Sequence, residues 1–382
     1  MYLSRLALTD FRCYASADLR LEPGVTAFTG ANGQGKTNLV EAVGYLATLA
    51  SHRVATDPPL VRAGTQRAIV RAEVTSDERN LLVEIEINPA RANRARLKGA
   101  PVRRPREILG ALRAVLFAPE DLALVKGDPG ERRRYLDELL IQSAPRYAGV
   151  RSDYERVVRQ RTALLKSARG RAPGSRPMLG ALEAWDEQLI RTGAELMAGR
   201  LELVGALRPL IVKAYAAVAG DDTAAEISYR PAHLKRIQPD VGEPAADQEL
   251  LAAGMRDALA GYQAAEIDRG VCLVGPHRDE LDMRIGELPA RGYASHGESW
   301  SLALALRLAG YELLRSAGGG GGDPVLLLDD VFAELDGQRR DRLATVAAAA
   351  EQVIVTAAVP ADLPEGLRAA RFDVSGGVIS RV

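Results

Sequence analysis

Eight consecutive residues, Gly30, Ala31, Asn32, Gly33, Gln34, Gly35, Lys36 and Thr37, have the make-up of a phosphate cradle. Glycines at 30, 33 and 35 let the backbone curl so that its N–H groups face inward. Lys36 supplies a point charge for β- and γ-phosphates, and Thr37 a hydroxyl ligand for magnesium. A second chemical group lies nearly 300 residues away, where the apolar run Val325 to Leu328 ends in Asp329 and Asp330. The first carboxylate suits a magnesium ion, directly or through water. The second suits a general base that orients and deprotonates an attacking water. A third group, Ser295 and Gly297, precedes an amphipathic stretch carrying Leu302, Leu306 and Leu313. A serine and a glycine at a helix N-terminus make another anion site. One nucleotide does not need two cradles from one subunit, so two copies facing head to tail would pair each cradle with the other's Ser295 and Gly297.

These groups need particular elements behind them. Val25 to Thr29 reads as a short strand feeding the cradle, and a helix is expected after Lys36 with Leu39, Val43, Leu46 and Ala50 on one stripe. Leu81 to Ile87 alternates cleanly, with Glu84 and Glu86 on its polar face, and Ala68 to Val74 is its expected partner across the turn TSDERN. Val325 to Leu328 and Gln352 to Thr356 read as buried central strands. Between residues 130 and 270 the pattern is helical. Tyr147, Val150, Tyr154, Val157 and Leu164 keep a helical spacing in which Arg161 takes one core slot. Leu182, Leu189, Leu196, Leu203 and Leu210 recur every seventh residue, which indicates a paired-helix arm. RGRAPGSRP (169–177) reads as the connection between the two runs, Pro209 as the end or kink of the second, and the five glycines before Asp323 as a loop.

The 382-residue length suggests two or three domains, and 47% hydrophobic with 26% charged residues describes a folded chain. Formal net charge is zero, so a nucleic-acid footprint has to be a local patch. Cys13 and Cys272 stand alone, without metal-ligand spacing, which speaks against structural zinc and fits a reducing cytosol. The N-terminus lacks a signal peptide's apolar block, and no apolar run is long enough for a membrane span.

The whole chain resembles the RecF family of bacterial ABC-type ATPases. The resemblance is carried by DFRCY near the start, GANGQGKTNLVEA, SHR at 51–53, APEDLALVKGDPGERRRYLD at 118–137, RTALLK at 161–166, GPHRDEL at 275–281, SHGES and LLLDDVFAELD. It departs from the family at His296 and Glu298, where glutamines are usual, at Thr162 (asparagine) and at Glu280 (aspartate). Glu120 stands in the region where such ATPases carry a glutamine. The resemblance implies an α/β fold: an ABC-type P-loop head of mixed sheets with flanking helices, and an inserted helical arm. The expected division is 1–128 for the first part of the head, 129–270 for the arm and 271–382 for the rest of the head. The resemblance also implies a cytoplasmic protein that binds ATP with Mg2+ and DNA, dimerises on ATP and hydrolyses it weakly. With RecR and RecO it would help place RecA on gapped DNA in recombinational repair, replication restart and the SOS response. Asp336, closing the acidic segment, is counted with the nucleotide-binding residues.

Between Arg91 and Arg106 there are seven basic residues and no acid, and between Arg146 and Arg176 nine basic residues face only Asp153 and Glu155. Arg53, Arg94, Arg103, Arg104, Arg106, Arg159 and Arg161 are the candidate DNA contacts. Aromatics make up only 5%, which favours duplex-backbone binding over a base-stacking channel. His277 reads as a structural or hinge residue. Two other readings share the nucleotide motifs. A transporter's nucleotide-binding subunit conflicts with the long arm, and an SMC-type structural ATPase needs a far longer coil.

Overall fold

The computed structural model describes all residues except 77–78, 169–175, 220–222, 233–246, 317–321, 365–366 and 368. The first unit comprises Met1–Lys126, Leu210–Ala225 and Tyr293–Val382; the second comprises Gly127–Pro209 and Glu226–Gly292. The arm expected at 129–270 lies for the most part in the second unit, which begins at Gly127 and runs to Gly292 apart from Leu210–Ala225.

The chain begins with β1 (Tyr2–Phe11), β2 (Tyr14–Arg20), β3 (Gly24–Thr29) and α1 (Lys36–Thr48), then β4 (Ala68–Ser76), β5 (Arg79–Ile87), β6 (Arg94–Leu97), β7 (Ala100–Pro101), β8 (Ala114–Phe117) and α2 (Leu122–Lys126). The second unit holds α3 (Pro129–Ser143), α4 (Tyr147–Ala168), most of α5 (Arg176–Ala219), β9 (Ala225–Arg230), α6 (Gln248–Arg269), β10 (Glu280–Ile285) and β11 (Leu288–Pro289), with the short α7 (Ala290–Tyr293) at its edge. The chain returns to the first unit with α8 (His296–Ser316), β12 (Val325–Asp329), α9 (Gly337–Ala349), β13 (Gln352–Ala357), β14 (Ala369–Ser375) and β15 (Val378–Arg381).

Two six-stranded sheets build the first unit, in the orders β2-β1-β4-β5-β6-β7 and β15-β14-β3-β13-β12-β8. In the second sheet β14, β3, β13, β12 and β8 run parallel. Every residue of β12 and β13 is buried, as unbroken apolar runs require at the centre of a parallel sheet. The first sheet is antiparallel and one-sided. Val70, Ala72 and Val74 of β4 and Val83, Ile85 and Ile87 of β5 are buried, while Arg71 and Glu84 pair on the outer face. The turn residues 77–78 lie outside the description. Helix α1 buries Leu39, Val43 and Leu46, and stops at Thr48 because Leu49 takes a left-handed conformation (φ 55°). Ala50 therefore lies beyond the helix.

The second unit departs most from the sequence pattern. Tyr147, Tyr154, Val157 and Leu165 are buried along α4, with Leu165 rather than Leu164 in the innermost place. Leu182, Leu189, Leu196 and Leu203 are buried along α5. The helix does not end at Pro209 but continues to Ala219. Three helices meet at α4 rather than two, since Arg161 pairs with Asp186 of α5 and Glu266 of α6. The region expected to be wholly helical also contains β9, whose Ala225, Ile227 and Tyr229 point inward and which forms a three-stranded sheet with β10 and β11. Most of the connection at 169–177 and of the glycine tract lies outside the described residues.

Candidate nucleotide site and basic surfaces

Strand β3 delivers the chain to the phosphate loop, and two glycines there answer to close contacts. Gly30 has φ 146°, and a Cβ on it would lie 2.3 Å from the Val374 carbonyl oxygen. Gly35 has φ 114°, and a Cβ would lie 2.7 Å from Cys13 Sγ and 2.8 Å from the Tyr14 hydroxyl. The loop is held from two sides. Tyr14, fully buried, donates its hydroxyl to the Gly35 carbonyl at 3.0 Å. Gly376, in the turn between β14 and β15, donates its N–H to Gln34 Oε1 at 2.6 Å. Lys36 turns back into the cradle, where Nζ donates to Gly30 O at 2.7 Å and Ala31 O at 3.2 Å, with Asn32 Oδ1 at 3.5 Å. Its ammonium is thus poised over the backbone that would receive phosphate oxygens.

The parallel register brings the distant acids to the start of α1. Asp329 ends β12, beside Thr356 of β13. Its Oδ1 accepts from Thr37 Oγ1 at 3.0 Å and from Thr356 Oγ1 at 2.7 Å. A hydroxyl and a buried carboxylate in contact form a hard-oxygen pair that fits Mg2+, whose remaining positions are normally filled by water and phosphate. His52 Nε2, buried and without a hydrogen bond among the described residues, lies 3.8 Å from Asp329 Oδ2. Asp330 sits in the left-handed region (φ 49°, ψ 18°), its N–H donating to Thr356 Oγ1 at 2.9 Å. Burial holds its carboxyl above the usual aspartate range, with Lys36 pulling the other way. Thr356 and His52 carry little signal in the sequence, a threonine closing an apolar strand and a histidine in SHR.

The third group also sits at a helix start. Ser295 precedes α8, and its Oγ accepts from Glu298 N at 3.2 Å while Glu298 Oε2 accepts from Ser295 N at 2.8 Å. Glu298, a departure from the family pattern, thus closes a reciprocal cap. Leu302, Leu306 and Leu313 are buried below it. Among the described residues Ser295 makes no hydrogen bond to the phosphate loop. Asp336 caps α9, accepting from Arg339 N at 3.0 Å, and this N–H with the guanidinium of Arg339 holds its carboxyl below the usual range. Gly297 lies against the same guanidinium. Glu120 is exposed just beyond β8, while its neighbour Asp121 pairs with Arg307 of α8 at 2.6 Å.

The basic candidates separate into three kinds. Arg161 is fully buried, with Glu266 and Asp186 each at 2.6 Å, so contrary to expectation it belongs to the core and is not a DNA contact. Arg96 and Arg91 share Glu84 and Glu86 with Arg71 and Arg67, which offsets their charge. Arg94, Arg103, Arg104 and Arg159 are exposed and Arg106 half-buried, with no ion pair among the described residues. Lys98 is exposed and unpaired in the same sense. Arg53 is 37% exposed and leans on Asn38 Oδ1 at 3.0 Å and Glu41 at 3.6 Å. His277 is structural. Its Nε2 lies 3.2 Å from the Cys272 carbonyl and must donate to it, leaving Nδ1 to accept from the Tyr154 hydroxyl at 2.5 Å.

Comparison with known proteins supplies the family. Residues 2–368 match the family model described as "RecF/RecN/SMC N terminal domain". The "DNA replication and repair protein RecF" of Streptomyces avermitilis is 57% identical over 384 residues, covering all of both chains. The protein of the same name from Beutenbergia cavernae is also 57% identical, again with both chains fully covered. Among solved structures, "recombination mediator protein RecF-ATPrS in RecFOR pathway" superposes with a TM-score of 0.89 at 26% identity, covering 100% of this chain and 98% of that one. An SMC head bound to the C-winged helix domain of ScpA aligns with a TM-score of 0.54 at 18% identity, covering 100% of this chain and 97% of that one, which speaks for the fold alone. With its cradle, acidic strand end and the capped start of α8 all inside the matched span, the chain belongs to the RecF family.

Proposed function

We propose that this protein is an ATP-dependent, DNA-binding recombination mediator whose nucleotide is sandwiched between two copies. The observation that carries the reading is the meeting of Thr37 and Asp329 across 292 residues of sequence, at 3.0 Å, beneath a cradle that holds Lys36. Relatives of the same architecture are described in complex with ATP and as members of the RecFOR pathway. Residues 30–37 bind the phosphates of ATP, and Thr37 with Asp329 hold Mg2+, which would shield the phosphate charge. Asp330 serves as the base for the attacking water. Ser295 and Gly297 complete the site of the opposite copy, and Asp336 lines it. Binding in trans gives ATP different affinities for monomer and dimer, and weak hydrolysis returns the dimer to monomers.

DNA is bound by backbone phosphate contacts from Lys98, Arg94, Arg103, Arg104 and Arg106, with Arg53 and Arg159 in support. RecR and RecO are the expected partners, RecA acts downstream, and the protein works in the cytoplasm.

Sedimentation with and without ATP tests the reading. Wild type is expected to dimerise only with ATP, Asp330→Asn to form a longer-lived dimer, and Lys36→Met to stay monomeric. A dimer indifferent to nucleotide would refute the switch.

A further inference from the structure

We propose that Arg339 is a ligand of the trans nucleotide: its guanidinium completes the anion site at the start of α8, and Asp336 is the internal anion that the γ-phosphate displaces. This rests on the two-copy reading above and names a residue that neither the motifs nor the relatives assign.

Arg339 is placed by three anchors, two of them on its guanidinium. Nε donates to Ser301 Oγ at 2.8 Å, and Ser301 is fully buried in α8. Nη1 is paired with the carboxylate of Asp336. The backbone N–H of Arg339 donates to the other Asp336 oxygen at 3.0 Å, which fixes the first turn of α9. The remaining arm, Nη2, has no acceptor among the described residues. It is the atom nearest to Gly297, 3.4 Å from where a Cβ there would stand. A free donor pair therefore lies over the helix start on which an incoming phosphate has to land.

The electrostatics argue against a merely structural tie. The start of a helix carries partial positive charge, so a cation beside it is disfavoured unless an anion offsets it. Asp336 provides that anion, but it is 52% exposed and can leave, whereas Arg339 is 21% exposed and anchored. A γ-phosphate brings more charge and more acceptors than a carboxylate, and a guanidinium fork suits it. The absence of a side chain at Gly297 leaves that approach open.

The test measures the protein concentration for half-dimerisation, by sedimentation with a non-hydrolysable ATP analogue. Arg339→Ala is expected to raise it roughly tenfold or more, the scale of a lost charge-assisted contact. Arg339→Lys keeps the charge but loses the fork, and is expected to recover only part of the loss. Asp336→Asn removes the internal competitor and is expected to shift dimerisation to lower concentration. Should Arg339→Ala misfold, the Lys and Asn variants decide the matter by their opposite charge logic. Wild-type dimerisation by Arg339→Ala overturns the proposal, as does a change in the same direction for Arg339→Ala and Asp336→Asn. A wild type that fails to dimerise with the analogue at all overturns the two-copy reading instead.

Discussion

Thr356 is the residue on which both acidic groups lean, since its hydroxyl donates to Asp329 and accepts from the Asp330 N–H. Replacing it with valine keeps the shape and removes both bonds, leaving a polar group unpaired near the cradle. Thr356→Val should cost about 1–3 kcal/mol of stability, seen in denaturant unfolding, and should lower ATP turnover more than ATP affinity. Asp330 adds a pH dependence of known sign. Burial raises its pKa, so the ionised form needed for a base appears only above the ordinary aspartate range. The acid limb of ATP turnover is therefore expected above that range and absent in Asp330→Asn. The stability sign runs opposite: a raised carboxyl favours folding at low pH and loses that contribution as pH rises through the folded pKa. Asp330→Asn should thus be no less stable than wild type at neutral pH. The cradle, the two aspartates and Ser295 were legible because their types are diagnostic at short range. Thr356, His52 and Arg339 were not, because each acquires its role from a neighbour on another element.

At the scale of elements, α4 shows how a helical period can be right about burial and silent about partners. The slot at Arg161 reads as core, and it is core; only its basic character suggests DNA. Removing it leaves Glu266, fully buried, and Asp186 without their cation. Arg161→Ala should therefore destabilise the second unit by roughly 3–5 kcal/mol, measured by hydrogen exchange across α4 and α6. The loop from Cys272 to Asp279 supplies a second expectation. Burial pushes His277 down to about 4, helped by the positive charges of Arg278, Arg133 and Arg161. A depressed histidine contributes stability above its unfolded value, about 6.5, and loses it as pH falls toward the folded value. Unfolding monitored between pH 7 and pH 4 should show this loss, and His277→Gln should flatten it. Strand β9 is hard to see in the sequence because six residues of alternation inside a long helical stretch form a strand only when β10 is there to pair with.

For the molecule as a whole, zero net charge conceals an uneven surface. Arg71 of β4 and Arg67 just before it are answered by Glu84 and Glu86 of β5, while Lys98, Arg103 and Arg104 have no such partner among the described residues. Changing those three to serine should weaken duplex binding and reduce the salt slope by about 3, roughly one per lost phosphate contact. The same change to Arg67 and Arg71 should do far less. By itself the sequence determined the local chemistry: which loop can wrap a phosphate, which strand ends in acids, which helices have an apolar stripe. Those properties depend on residue type and on the periods of helix and strand, both of which act over a few residues. Only the tertiary structure decided which charges are free and which are spent, and which hydroxyl stands between the two aspartates. Those depend on contacts between residues far apart in sequence, whose energies exist only once the chain has closed around them.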